Sequence, residues 1–318
     1  MSAPGAGARL AALGARAALL ARCREFFAAR GVLEVETPIL AQATVTDVHL
    51  ASLETRIAGR PSPYYLQTSP EYAMKRLLAA GSPDLYQICK VFRDGESGRL
   101  HNPEFTMLEW YRRGFDHVAL MDEVEALLTT LLAGRLLLAP ERLSYREAFE
   151  RVLGVDPHAA PLPQLAALAA EQAGATGLGD DRDTVLDLLM GALVGPALGR
   201  DRLTFVDAYP ASQAALARLL PGTPPVAARF EAYFGGLELC NGFHELADAA
   251  EQRRRFEADR AERARRGLPL PPIDERLLAV LRALPDCAGV AVGLDRVLML
   301  ASGCSTIAEV LTFAVDEA

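Results

Sequence analysis

The sequence predicts an α+β fold in which an antiparallel sheet is flanked by helices. Three observations carry that expectation. Apolar runs at 226–233 and 237–244 flank Gly235-Gly236, a two-residue hairpin signal. Other strand-like runs are separated by helical stretches of uneven length, unlike a regular array of strand–helix–strand units. Neither a GxxxxGK[ST] phosphate loop nor a GxGxxG turn after a strand is present, so an ATP site is built another way.

The elements follow in order. Residues 1–14 open on small side chains and are expected to be disordered, with one folded domain over 15–318. Leu19, Leu20, Cys23, Phe26 and Phe27 give an amphipathic helix over 13–30, stopped by Gly31. A strand over 32–37 ends at Pro38. Strands are expected at 48–57 and 64–67. Ser69-Pro70-Glu71 opens a helix to Ala80, with a hydroxyl cap, a proline in the first turn and an acid at the positive end. Strands at 85–92 and 104–112 are joined by a polar, glycine-containing loop, and 116–132 is helical. Residues 140–200 read as a helical insertion, with 157–179 rich in Ala, Pro and Gly. A strand returns at 203–206. After the hairpin come a long charged helix to Arg266, a proline-rich turn, a helix over 274–284, a strand over 289–293 and a helix over 294–302.

Composition limits the function classes. At 318 residues, 51% apolar and 23% charged, the chain is an ordinary globular protein. A net charge of −8 argues against a broad nucleic-acid surface. The basic run from Arg253 to Arg266 reads as the solvated face of a helix whose acids offset it. Lysine occurs only at 75 and 90. The five cysteines are scattered, with no CxxC pair, which suits a reducing cytoplasm. No apolar run reaches membrane-spanning length, and no signal-peptide pattern opens the chain.

Three constellations carry chemistry. The first is Phe92-Arg93-Asp94-Gly95-Glu96, a loop, then His101-Asn102-Pro103-Glu104-Phe105. An arginine at a strand end suits an α-phosphate and the charge that builds on it under attack. Phe105 offers a stacking face for adenine. The second is Gly293-Leu294-Asp295-Arg296 at a strand-to-helix junction, where glycine permits close approach and Arg296 reaches a terminal phosphate. The third is Glu231, Glu238 and Glu245 inside apolar strands. Carboxylates so placed need a cation, and Mg²⁺ held with ATP phosphates suits two of them. Glu245 is free to take a substrate ammonium, since equal parity does not follow across the Gly-Gly turn. His101 and His244 have no matched Ser or Cys nucleophile and read as structural or ligand-orienting.

Together these residues resemble the three signatures of class II aminoacyl-tRNA synthetases. The first helix, strand and Pro38 look like the dimer-forming first motif, Arg93 to Phe105 like the second, and Gly293 to Arg296 like the third. Thr68-Ser69-Pro70-Glu71, His101 to Met107, Tyr111 and Asn241 to Leu246 are similar to the lysyl branch. The first motif starts too early to leave room for the anticodon-binding domain of lysyl-tRNA synthetases. The chain therefore looks like the truncated relatives that attach (R)-β-lysine to a lysine of elongation factor P, and Ala43 to Asp47 and Glu109 to Arg112 strengthen that likeness.

The resemblance implies a homodimer with elongation factor P as acceptor and without tRNA. It implies that lysine or (R)-β-lysine is activated by ATP as an aminoacyl-adenylate. Arg93 and Arg296 would grip ATP phosphates; Asp94, Gly95, Asn102, Phe105, Glu238, Leu239 and Gly293 would form the nucleotide pocket; Glu231 and Glu238 would hold Mg²⁺. Glu245 and Tyr111 would bind the side-chain ammonium, with Ser69, Pro70 and Glu71 at the other amino group. Ala291 stands where lysyl synthetases have glycine, and its methyl would favour a β-amino group. One departure is Gly95 in the position of a glutamate that reads adenine, with Glu96 next to it. The rivals are an RNA-charging lysyl synthetase-like enzyme and a non-catalytic paralogue acting as a regulator.

Overall fold

The structure is a computed structural model and describes residues 6–318. The chain runs α1 (Ala6–Ala28), β1 (Leu33–Glu34), β2 (Leu40–Ala41), β3 (Glu54–Thr55), β4 (Tyr64–Leu66), α2 (Glu71–Ala79), β5 (Leu85–Phe92), β6 (Glu104–Arg113) and α3 (His117–Leu131). It continues through β7 (Glu141–Ser144), α4 (Tyr145–Leu153), α5 (Leu162–Ala173), α6 (Arg182–Leu189), α7 (Gly195–Ala197) and β8 (Thr204–Pro210). The last part is β9 (Leu219–Leu220), β10 (Val226–Phe234), β11 (Leu237–His244), α8 (Ala249–Arg265), α9 (Glu275–Val280), β12 (Cys287–Gly293) and α10 (Leu294–Ser302).

A nine-stranded sheet in the order β1-β5-β6-β12-β11-β10-β8-β7, with β9 beside β10, organises the molecule. Its centre is antiparallel as expected, and only the outer pairs β1–β5 and β7–β8 are parallel. Alternation along each strand separates two faces. Tyr86, Leu108, Trp110, Phe230, Ala232, Val290 and Val292 are buried on one face against Phe27, Leu127 and Leu298 of α1, α3 and α10. Removal of such a large aromatic from a packed core costs about 3–5 kcal/mol. The opposite parity carries Glu109 and Tyr111 on β6 and the small residues Gly289, Ala291 and Gly293 on β12.

Local chemistry sets the hairpin. Gly235 and Gly236 both have positive φ, 61° and 75°, as a tight turn matching strand twist requires. Tyr233 then pairs with Glu238, but Ala232 pairs with Cys240, so Leu239 is an extra residue. This bulge shifts parity along β11. Asn241 comes to lie opposite Glu231, and the odd-numbered residues that lead to Glu245 turn toward the face of Glu109.

Several elements differ from expectation. Helix α1 begins at Ala6, so residues 6–14 are helical instead of disordered; residues 1–5 lie outside the described residues. Alanine-rich sequence favours the longer helix, and Arg9 and Arg16 fasten it to Glu317 and Asp295. The strand expected at 48–57 shrinks to Glu54–Thr55. Asp47 accepts from the His49 amide, and Arg263 donates to the Asp47 and Leu50 carbonyls, which holds a loop there. Arg263 is thus a buried clamp within the run read as solvated. The 140–200 insertion opens on a strand, β7, and its helices bury their own cluster around Tyr145, Phe149, Leu165 and Leu189.

Candidate active site

The sheet face that carries Glu109 and Tyr111 holds a buried acidic cluster at one end. Glu109 and Tyr111 alternate along β6, so both point to the same face. The Tyr111 hydroxyl donates to Glu109 at 2.6 Å, and the Ser69 hydroxyl donates to its other oxygen at 2.7 Å. Ser69 also accepts from the Glu71 amide at 3.1 Å, so the segment before α2 is tied to β6. One turn into α2, the Lys75 ammonium lies 2.5 Å from Glu71 and 2.6 Å from Glu245. Lys75 and Glu245 are each only 1% exposed.

Gly289 makes this convergence possible. A Cβ at that position would sit 2.2 Å from the Tyr111 ring and 2.6 Å from a Glu245 oxygen, so any other residue would push both away. Lys75 makes its closest contact with the other oxygen, Oε2. Burial and mutual repulsion raise the pKa values of Glu109 and Glu245, with Glu71 the main repelling neighbour and Lys75 opposing it. Burial works against the Lys75 ammonium, but Glu245 and Glu71 more than offset it and hold its pKa above the ordinary value.

The other end of this face is cationic and less committed. Arg93 lies over the Phe105 ring at 5.1 Å and 3.6 Å from Glu96, while its buried Nε has no partner. Arg296, at the start of α10, donates to the Glu238 carbonyl at 2.9 Å and to the His101 ring at 2.5 Å. Partial enclosure and the Arg296 charge lower the His101 pKa, which suits a neutral acceptor. Asp295 pairs with Arg16 of α1 at 2.5 Å rather than with its neighbour, and takes the Thr106 amide at 2.7 Å. Asp295 thereby locks α10 to β6.

Glu231 and Glu238 stand beside these arginines in different states. Glu231 is held at 2.5 Å by both Arg229 and the Tyr233 hydroxyl. The Glu238 carboxylate has no hydrogen bond among the described residues, only Arg296 at 3.9 Å. Surrounding protein and the Glu231 charge raise its pKa. Since 43% of the side-chain surface is open, the adjacent charge is the cause the geometry supports best. Two neighbouring carboxylates, one of them unsatisfied, form an oxygen donor set that fits Mg²⁺ bound with phosphates. No group of three or more His, Cys, Asp or Glu residues that could hold a metal occurs among the described residues.

The sequence-derived site residues therefore fall into two groups. Ser69, Pro70, Glu71, Tyr111 and Glu245 meet at the acidic end, with Pro70 at the N-cap of α2. Arg93, Phe105, Glu231, Glu238 and Arg296 gather at the cationic end; Asp94 and Gly95 are exposed beside Arg93, and Gly293 is the N-cap of α10. Asn102 is spent on backbone, donating to the Glu104 carbonyl and accepting from the Val315 amide. The Leu239 side chain is in the core, so only its backbone is left for a ligand. Glu109, Lys75 and Gly289 were not singled out as site residues. Their signals were the i, i+2 spacing of Glu109 and Tyr111, the i, i+4 spacing of Glu71 and Lys75, and small residues at 289, 291 and 293.

A family model described as tRNA synthetases class II (D, K and N) matches residues 8–317, and the chain belongs to that family. Its enzymes' ATP-dependent ligase chemistry is this chain's class of activity. A curated relative from Klebsiella pneumoniae (strain 342), named elongation factor P--(R)-beta-lysine ligase, is 53% identical over 95% of this chain and 94% of its own length. A relative with the same name from Salmonella paratyphi B is 52% identical with the same coverage.

Proposed function

We propose that this chain activates (R)-β-lysine, or lysine, and transfers it to a lysine side chain of elongation factor P. The relatives' shared name supports the substrates, and the match covers nearly all of both chains. The observation that carries the reading is the buried acidic cluster at one end of a sheet face whose other end is lined by arginines. Phe105 and Glu109 are four residues apart on β6, roughly 13 Å at ~3.3 Å per residue. That span suits an adenylate with its base at Phe105 and its amino groups at the acids.

The reaction has two steps. A carboxylate oxygen of the amino acid attacks the α-phosphorus of ATP, and the bond to the β-phosphate breaks, releasing pyrophosphate. The acceptor amine then attacks the adenylate carbonyl; AMP leaves and the nitrogen loses a proton. Arg93 faces the charge that grows on the α-phosphate, and Arg296, backed by His101, holds the terminal phosphate. Glu238 and Glu231 would hold Mg²⁺, which supplies charge neutralisation on the phosphates. Glu96 leans on Arg93, and the Asp94 amide and Gly95 carbonyl are taken by Ala51 and Ser97, so adenine contacts at this turn fall to the remaining Asp94 carbonyl and Gly95 amide. Glu245 and Tyr111 take one ammonium, and Ser69 and Glu71 lie at the other. Positioning and charge stabilisation do the work, with no covalent enzyme intermediate.

The same reading includes a homodimer through α1, β1 and the segment leading into β2, where Leu33, Ile39 and Leu40 are at least 40% exposed. It also includes a reducing cytoplasm, supported by five free cysteines. No helix among the described residues is long and apolar enough to cross a membrane. The test adds ATP, Mg²⁺ and (R)-β-lysine to purified elongation factor P and follows protein mass. Gain of one β-lysyl group is expected. Modification of tRNA, with the protein untouched, would overturn the acceptor.

A further inference from the structure

We infer that Lys75 is a positioning residue, a fixed internal counter-charge that sets the amino-acid pocket to accept two ammonium groups. This rests on the proposed lysine-type substrate. Three carboxylates, Glu71, Glu109 and Glu245, share the pocket with one ammonium. When all ionise, their three charges less the one on Lys75 leave a net of two. A diamino acid brings two ammonium groups besides its reacting carboxylate, so the occupied pocket is neutral.

Geometry supports a fixed rather than a displaceable ammonium. Lys75 lies on a helix one turn from Glu71, its side chain is 1% exposed, and its closest approach to Glu245 is to Oε2. Oε1 lies against Gly289 beside the Tyr111 ring and is the oxygen assigned to the ligand ammonium. Glu245 thus bridges an internal cation and the substrate. Lys75 cannot stay near Glu71 and also leave room in solvent for its charge, since α9 and the apolar residues Leu277, Leu281 and Cys287 pack beside α2. The titratable groups facing it are Glu71 from α2, Glu109 and Tyr111 from β6, Glu245 from the end of β11, and Cys287 from β12. Asp286 and Arg218 act on Cys287 from farther out. Burial pushes the Cys287 thiol up to about 12, so it stays neutral.

Two measurements decide the role. In Lys75→Met, loss of the cation raises the carboxyl pKa values further. The acid limb of kcat/KM for lysine in ATP–pyrophosphate exchange should move up by about one pH unit or more, and KM for the amino acid should rise about 10- to 100-fold. KM for ATP should stay within about twofold, because the cationic end is untouched. A purely structural lysine would lower stability and leave the limb in place, which overturns the inference. If Lys75→Met does not fold, calorimetry on the wild-type protein in buffers of different ionisation enthalpy decides it. With Lys75 fixed, lysine expels protons from the pocket, and the release grows as pH falls from 8 to 6. Net proton uptake, or no exchange, means Lys75 is displaced and overturns the inference. Failure of the wild type to exchange pyrophosphate with any lysine isomer would sink the substrate reading along with it. An active wild type with an unmoved limb would sink only the role of Lys75.

Discussion

The two ends of this sheet face differ in how their charges are satisfied before a ligand arrives. At the acidic end Glu71, Glu109 and Glu245 are already tied to Lys75, Ser69 and Tyr111. At the cationic end the Arg93 Nε and the Glu238 carboxylate have no hydrogen bond among the described residues. Lone buried carboxylates would resist ionising, so a pocket that must become anionic as it takes up ammonium groups needs internal partners. Arginine stays charged in any surroundings and is free to wait for phosphate. The amino-acid end is thus preorganised by its own counter-ions, while the nucleotide end is completed by the nucleotide.

That contrast can be broken from either side. The largest effect is expected at the uncommitted end. Arg93→Ala should lower the pyrophosphate-exchange rate about 10²- to 10³-fold with stability nearly unchanged, as read by exchange kinetics beside thermal unfolding. Glu245→Gln strikes the committed end and should do two things together. KM for lysine should rise about 10- to 100-fold, and the unfolding temperature should fall, because a buried ion pair loses one partner at a cost of about 3–5 kcal/mol. An Arg93 variant that unfolds as easily as the Glu245 variant would erase the distinction.

Smaller changes sharpen it. Gly289→Ala forces Tyr111 and Glu245 apart and should cost about tenfold in kcat/KM for lysine, while KM for ATP holds. The pH profile gives a further measure. Raised pKa values at Glu109 and Glu245 mean that lysine use should be lost as pH falls through values above the ordinary carboxylate range. A limb at the ordinary range would show these acids are not the ammonium site. The smallest change is Ala291→Gly. Ala291 lies between Asn241 and Glu109 on the pocket floor, and its loss should shift preference toward α-lysine by about tenfold at most.

Local rules made much of this molecule legible. Apolar runs and the Gly-Gly turn marked β10 and β11, and the α10 junction marked Gly293 to Arg296, because those signals depend on neighbours in sequence. The sequence by itself determined the sheet-and-helix composition, the family and most candidate ligands. Tertiary structure alone decided how their charges are met. Lys75 reaches Glu245, 170 positions along the chain, only because α2 packs over the end of β11. Glu245 faces that pocket because one bulge at Leu239 reverses parity, and a bulge leaves no reliable mark in the hydrophobic pattern. Asp295 turns from Arg296 to Arg16 because α1 lies against α10. Electrostatic partnership depends on distance in space, and for these residues the fold sets that distance.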